Sequence, residues 1–139
     1  MIPGDYTFDD GFRGARRLLA LRDPPTAIFG SNDEIAAGVL AAAKSTGMNV
    51  PYDLSIAGFE DSPFSRQSWP PLTTAKQATE DIARHAARML IASLRQETDP
   101  VAAQATHNQG FVPQLVVRGS TAPVRPRSPV PRSDDAGTG

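Results

Sequence analysis

Apolar residues along this chain fall into alternating helical and strand-like patterns. Over residues 9–21, Phe12, Ala15 and Leu19 recur at helical spacing, and Thr7 with Asp10 is placed as a capping box. Pro24 and Pro25 then break the chain. Residues 26–30 (TAIFG) form a short continuous apolar run that predicts a buried strand. Ser31 and Glu34 have the S-x-x-E spacing of a helix cap, and Ile35, Val39, Leu40 and Ala43 line one side of a helix running to about residue 46, stopped by Gly47. Residues 54–59 (LSIAGF) predict a second buried strand and residues 72–76 (LTTAK) a third. Residues 61–71, with Pro63, Pro70 and Pro71, read as a loop. Residues 78–96 give a helix with Glu80 and Asp81 in its first turn and Ile82, Ala86, Met89, Leu90 and Leu94 as an apolar stripe. Residues 111–117, interrupted by Pro113, predict a last strand at an edge or bulge. Strands alternating with helices predict an α/β fold, a mostly parallel sheet flanked by helices.

Composition changes after about residue 119. Residues 120–139 contain Pro123, Pro126, Pro129 and Pro131, with Arg125, Arg127 and Arg132 and only Val124 and Val130 as large apolar residues. Such a segment buries too little surface to offset its ordering entropy, so it is expected to be a disordered Pro/Arg-rich tail after a folded unit over residues 1–119. The 14 basic and 15 acidic residues leave a net charge of −1, which gives no whole-chain electrostatic footprint for nucleic acid or an anionic membrane. No Cys is present, which excludes a disulfide scaffold and a Cys nucleophile. No apolar stretch is long enough to span a bilayer, and the first residues have no signal-peptide pattern. Arg84, Arg88 and Arg95 lie among acids on one helix and read as a solvated face.

One local echo carries the chemistry. TAIFG-SNDE and LSIAGF-EDS are both apolar strands that end at or just after a glycine and then present polar and acidic groups. Ligands of open α/β sheets sit beyond the carboxyl ends of the strands. If the two strands are neighbours, Asn32, Asp33, Glu60 and Asp61 converge on one crevice, with Lys76 and Gln77 at the same end. Carboxylates accept hydrogen bonds from hydroxyls and Asn both donates and accepts, which suits a sugar or a nucleoside ribose. Asp33 and Asp61 are equally placed to cap the following helices. Tyr6 offers a flat face for a sugar ring or packs as an ordinary aromatic before the first helix. His85 and His107 have no partners at metal-ligand or triad spacing, and no G-x-S-x-G elbow or phosphate loop occurs, so no catalytic residue, metal or cofactor is expected. An acid–base pair of Asp33 and Glu60 cleaving a glycoside is the enzyme alternative.

Taken in order, GDYTFDDGF, PTAIFGSNDEIAAGVL, VPYDLSIAGFEDS, PPLTT and LVVRGST, from about residue 4 to 121, resemble the C-terminal part of the sensor domain of lactose/galactose repressor (LacI/GalR) family regulators. The PPLTT and VVRGST blocks favour the repressors over the related sugar-binding components of transporters. The resemblance implies a partial periplasmic-binding-protein-like effector-binding domain, acting in the cytoplasm as a homodimer. DNA would be reached only through a helix-turn-helix not seen in this sequence. It implies Tyr6 as a ring-stacking aromatic and Asn32 and Glu60 as polar effector contacts; Asp33 and Gln77 join the expected ligand-binding set from their places after the strands. Glu60 departs from the family's usual Asp, and one extra methylene moves the carboxylate by about 1.5 Å. Where some members place an aromatic, Thr79 stands here. Dimer contacts are implied for residues 33–46 and 62–69, including Ile35, Val39, Phe64 and Trp69. The stripe on residues 78–96 is expected to pack on a further subdomain and to leave this chain prone to associate without it.

Overall fold

The computed structural model describes residues 5–95 and 109–124. The helices are α1 (Phe8–Leu19), α2 (Asp33–Ser45), α3 (Pro63–Gln67) and α4 (Thr79–Arg95), and the strands are β1 (Ala27–Phe29), β2 (Ser55–Phe59), β3 (Thr73–Lys76) and β4 (Gln114–Val116). The sheet order is β1-β2-β3-β4; β1, β2 and β3 run parallel, and β4 is antiparallel to β3. The expected α/β fold with a mostly parallel sheet is present. Pro113 stands just before β4, where a missing N–H costs no ladder bond.

Thr7 caps α1 with the full capping box, its hydroxyl taking the Asp10 N–H while Asp10 returns to the Thr7 N–H. At α2 the expected cap is displaced by one residue: Asn32, not Ser31, accepts the Ile35 N–H at 2.7 Å. Asn is among the strongest N-caps and its extended backbone leads straight out of β1. The segment expected to be a loop contains α3, a five-residue helix with Pro63 at its start. Proline's fixed φ and absent N–H suit the first turn of a helix, so the residue read as a breaker is the initiator.

The core lies between α2 and one face of the sheet, built from Val39, Leu40, Ala36, Ala43, Leu54, Ile56 and Leu72. α1 packs on the far side of α2. A methyl group on Gly38 would fall on the Phe8 carbonyl oxygen and within 2.8 Å of the Phe12 nitrogen. Gly38→Ala is therefore expected to force the two helices apart and to cost about 2 kcal/mol, read as a lower urea midpoint.

The opposite face of the sheet is open. Ala27 and Phe29 of β1 share that face with Ser55 and Ala57 of β2, and Phe29 is 63% exposed. β1 was expected to be buried; it is the edge strand of the described sheet, and only its Ile28 side packs on the core. α4 is open along its length: between Asp81 and Leu94 only His85 and Met89 are even partly covered. His85 meets Phe111 edge-on at 5.7 Å. Arg84 pairs with Glu80 and Asp81 on the solvated side of the same helix, a contribution close to nil at an exposed site.

The C-terminal segment departs from expectation. Ser120 is fully buried: its hydroxyl donates to the Ile56 carbonyl and accepts the Thr73 N–H at 2.8 Å, while its carbonyl accepts the Ile56 N–H. Ala122 exchanges two hydrogen bonds with the Ser55 hydroxyl. A tail beginning at residue 120 is thus corrected; residues 118–122 are stitched across β2 and β3, and residues 125–139 lie outside the described residues.

Candidate functional site

β1 and β2 are adjacent and parallel, so their carboxyl ends share one edge of the sheet. The pairing of β1 with β2 runs to Phe29↔Ala57 and that of β2 with β3 to Phe59↔Ala75, so Asn32 follows β1, Glu60 follows β2 and Gln77 follows β3 at the same end of the sheet. Neighbouring strands stand about 4.8 Å apart. Asn32 also reaches Tyr6: its Nδ2 donates to the Tyr6 carbonyl at 3.1 Å. The tyrosine ring is exposed at the same end. Asn32, Glu60 and Gln77 thus follow their strands at one end of the sheet, and Asn32 brings the Tyr6 backbone to the same end. The Asn32 side chain has two fixed duties there, the α2 cap and the Tyr6 tether.

Backbone conformation singles out the same edge. Among the described residues, Tyr6, Glu60 and Asp61 are the non-glycine residues with positive φ, at 64°, 107° and 59°. Each costs about 1–3 kcal/mol and persists only where surrounding contacts over-determine it. The Glu60 N–H is held by the Ala75 carbonyl at 2.9 Å and the Asp61 N–H by the Thr74 hydroxyl.

Asp33 does not belong to the ligand set expected for it. It is completely buried at the first turn of α2, where Oδ1 accepts the Thr74 hydroxyl at 2.6 Å and Oδ2 accepts the Ser62 N–H at 2.7 Å. It has no surface to offer a solute. A methyl group on Gly58 would collide with its Oδ1, so the glycine of the second strand makes the room that this carboxyl group occupies.

Asp61 is likewise architectural. The Arg118 guanidinium bonds its Oδ1 through Nη2, while Nη1 donates to the Ser65 hydroxyl at 3.1 Å and to the Leu72 carbonyl at 2.9 Å. Arg66 adds a second contact at 3.3 Å. The Arg118 hydrogen bond and charge hold the Asp61 carboxyl below the usual 3.8, against the opposing effect of burial. A carboxyl group lowered on folding contributes stability that is complete above the unfolded value. That stability drains away as pH falls through the folded one. Arg118→Met is therefore expected to flatten the fall in melting temperature between about pH 5 and pH 2. Parallel acid melts of parent and variant check this. The sequence offered no signal for this ion pair, because its members stand 57 positions apart.

A second surface feature lies away from the strand ends. A recess of about 280 Å³ runs between α1, α2 and α3, with Phe8, Ala37, Ala41, Lys44, Phe64 and Trp69 in its lining. Of the residues expected at a dimer contact, Trp69 is 78% exposed and Phe64 is exposed, both in this recess, and Ile35 is partly buried beside the core. Val39 is the exception: at 2% exposure it fills the protomer's own core and has nothing to present to a partner.

The sequence matches the periplasmic binding protein-like domain over residues 2–121. The chain belongs to that family. Its relatives are LacI-type repressors, and the chain corresponds to part of their sensor domain. It is 39% identical over 120 residues to the probable HTH-type transcriptional repressor ExuR of Bacillus subtilis, covering 86% of this chain and 36% of that protein. Among solved structures, the lac repressor dimer bound to operator and the anti-inducer ONPF aligns with a TM-score of 0.74 at 30% identity. That alignment covers 85% of this chain and 39% of that one. A CelR–cellobiose complex aligns with the same score and identity, covering 84% and 34%. The chain thus spans about a third of the length of the curated relatives it matches. Among the described residues, no helix is long and apolar enough to cross a membrane.

Proposed function

We propose that this chain is the effector-sensing and dimerising piece of a LacI/GalR-type transcriptional regulator acting in the cytoplasm, taking a sugar-like or nucleoside ligand and catalysing no reaction. The observation that carries the reading is the parallel pairing of β1 with β2, from which Asn32 and Glu60 leave at the same end of the sheet, beside the exposed ring of Tyr6. Glu60 accepts from ligand hydroxyls, Gln77 donates and accepts, and Tyr6 covers the C–H face of a ring. Asn32 contributes chiefly by holding Tyr6 in place. Two structural relatives, CelR in complex with cellobiose and a LacI family regulator from Lactobacillus casei with bound glucose, hold sugars, which supports the sugar class.

In the intact regulator the ligand works by population shift, binding the closed sensor more tightly and so biasing the dimer that reads the operator. The residues described here dimerise through the Phe64–Trp69 surface, and operator reading is not among their tasks.

A thermal-shift screen of sugars and nucleosides tests the reading. A ligand is expected to raise the melting temperature of the parent and to lose most of that effect in Glu60→Ala, a substitution at an exposed position that leaves the unliganded melt unchanged. Asn32→Ala is the poorer probe, because losing the α2 cap alone costs about 1 kcal/mol. A ligand that stabilises parent and Glu60→Ala alike would exclude this edge as the site.

A further inference from the structure

We propose that Arg118 is a positioning residue of the effector edge, holding the left-handed Glu60–Asp61 turn and thereby setting where the Glu60 side chain stands. The proposal rests on the sensor reading above for its function and on geometry for its substance. Glu60 leaves β2 at a φ of 107° and Asp61 follows at 59°. Two successive side-chain-bearing residues do not hold such a backbone unaided; the Ala75 carbonyl holds the Glu60 N–H at 2.9 Å and Asp33 the Ser62 N–H at 2.7 Å, which leaves Asp61 to be fixed between them. The Asp61 N–H is only loosely held by Thr74, at 3.4 Å. Its side chain is the firm anchor, and Arg118 is the group that grips it.

Arg118 is itself fixed on all sides. Its backbone N–H donates to the Thr73 hydroxyl at 2.9 Å, and its guanidinium spans Asp61, Ser65 at the centre of α3, and the Leu72 carbonyl that leads into β3. One rigid planar fork thus references the turn to both elements that flank it. A lysine ammonium has the charge but not the fork, so it cannot serve all three partners at once. Arg66 bonds the Asp61 carbonyl at 2.7 Å, but its side chain is half exposed and reaches the carboxyl group at 3.3 Å, a weaker hold.

The test compares the 139-residue parent with Arg118→Lys, Asp61→Asn and Leu54→Val, the last a core substitution that loosens the fold without touching the turn. In ligand-free, nitrogen-15-labelled protein, Arg118→Lys and Asp61→Asn are expected to displace the Glu60 amide resonance. They should also speed its hydrogen exchange at least about tenfold beyond Leu54→Val, each measured at the same interval below its own melting temperature. Cellobiose, D-glucose and adenosine are then titrated. Whichever binds the parent is expected to bind Arg118→Lys about tenfold more weakly and Leu54→Val unchanged. A Glu60 resonance and exchange rate that follow Leu54→Val overturn the proposal, as does undiminished ligand affinity in Arg118→Lys. A displaced Glu60 amide with none of the three probes binding the parent supports the positioning role and counts against the effector reading. Should Arg118→Lys not fold, Asp61→Asn decides, since it keeps the shape of the side chain and removes the charge that Arg118 grips.

Discussion

Replacing Asp33 with alanine is expected to lower stability by about 3–4 kcal/mol, which drops the melting temperature by more than about 10 °C. The carboxyl group is fully buried, and it joins the start of α2 to the Ser62 N–H and the Thr74 hydroxyl. Alanine strands both donors in a space that water does not reach, and each stranded donor costs about 1–3 kcal/mol. Asp33→Asn is expected to lose roughly half as much, because one oxygen remains and the Thr74 hydroxyl can turn to accept from the amide. The series separates structure from ligand contact. A binding role leaves the unliganded melt where it was and removes only the ligand's effect; a structural role moves the melt with no ligand present. Urea midpoints of the three proteins settle which holds. The same carboxyl group explains why glycine stands at position 58, where any side chain would meet it.

Much of this arrangement could be read from the chain before its coordinates, and the limits have physical causes. The strand–helix alternation, the parallel sheet and the shared end at which Asn32 leaves β1 and Glu60 leaves β2 follow from periodicity and from where parallel strands place their carboxyl ends, both local or topological rules. The role of Asp33 does not follow. A carboxyl one residue past a strand end looks the same in sequence whether it faces a ligand or a buried threonine 41 positions later. The role of Arg118 has no local signal for the same reason, since its partners Asp61, Ser65 and Leu72 are all distant in the chain. Composition misled at the C-terminus: Ser120 has the residue type of a linker, but its one hydroxyl closes two bonds between β2 and β3. At α3 the proline rule has two branches, break or begin, and the burial of Ser65 with its hydroxyl bonded back to Ser62 favours beginning. Asp33, Asp61, Arg118 and Ser120 thus bind the strand ends to one another, while Tyr6 and Glu60 stay exposed beside them.

The second large effect concerns association. The chain is expected to run on a sizing column as concentration-dependent oligomers larger than a dimer, because it presents apolar surface on more than one side. The recess beside Trp69 and Phe64 is one; the α4 stripe is another, with Leu90 at 61% and Leu94 at 70% exposure. The open sheet face at Phe29 adds to it. Each large apolar side chain left in water forgoes roughly 1.5–3 kcal/mol, so a surface with several of them favours any contact that covers it. Two substitution sets take the assembly apart in order. Leu90→Lys with Leu94→Lys removes the α4 contact at positions whose side chains are mostly exposed, so the fold is kept and a dimer remains. Adding Trp69→Glu then introduces a charge at the apolar recess and yields a monomer. A dimer that survives Trp69→Glu but falls to monomer with the lysine pair would move the protomer contact from α2 and α3 to α4. The open α4 would then be the surface through which this chain meets its own copy, and the Phe64–Trp69 surface would have to be given up as the dimer face.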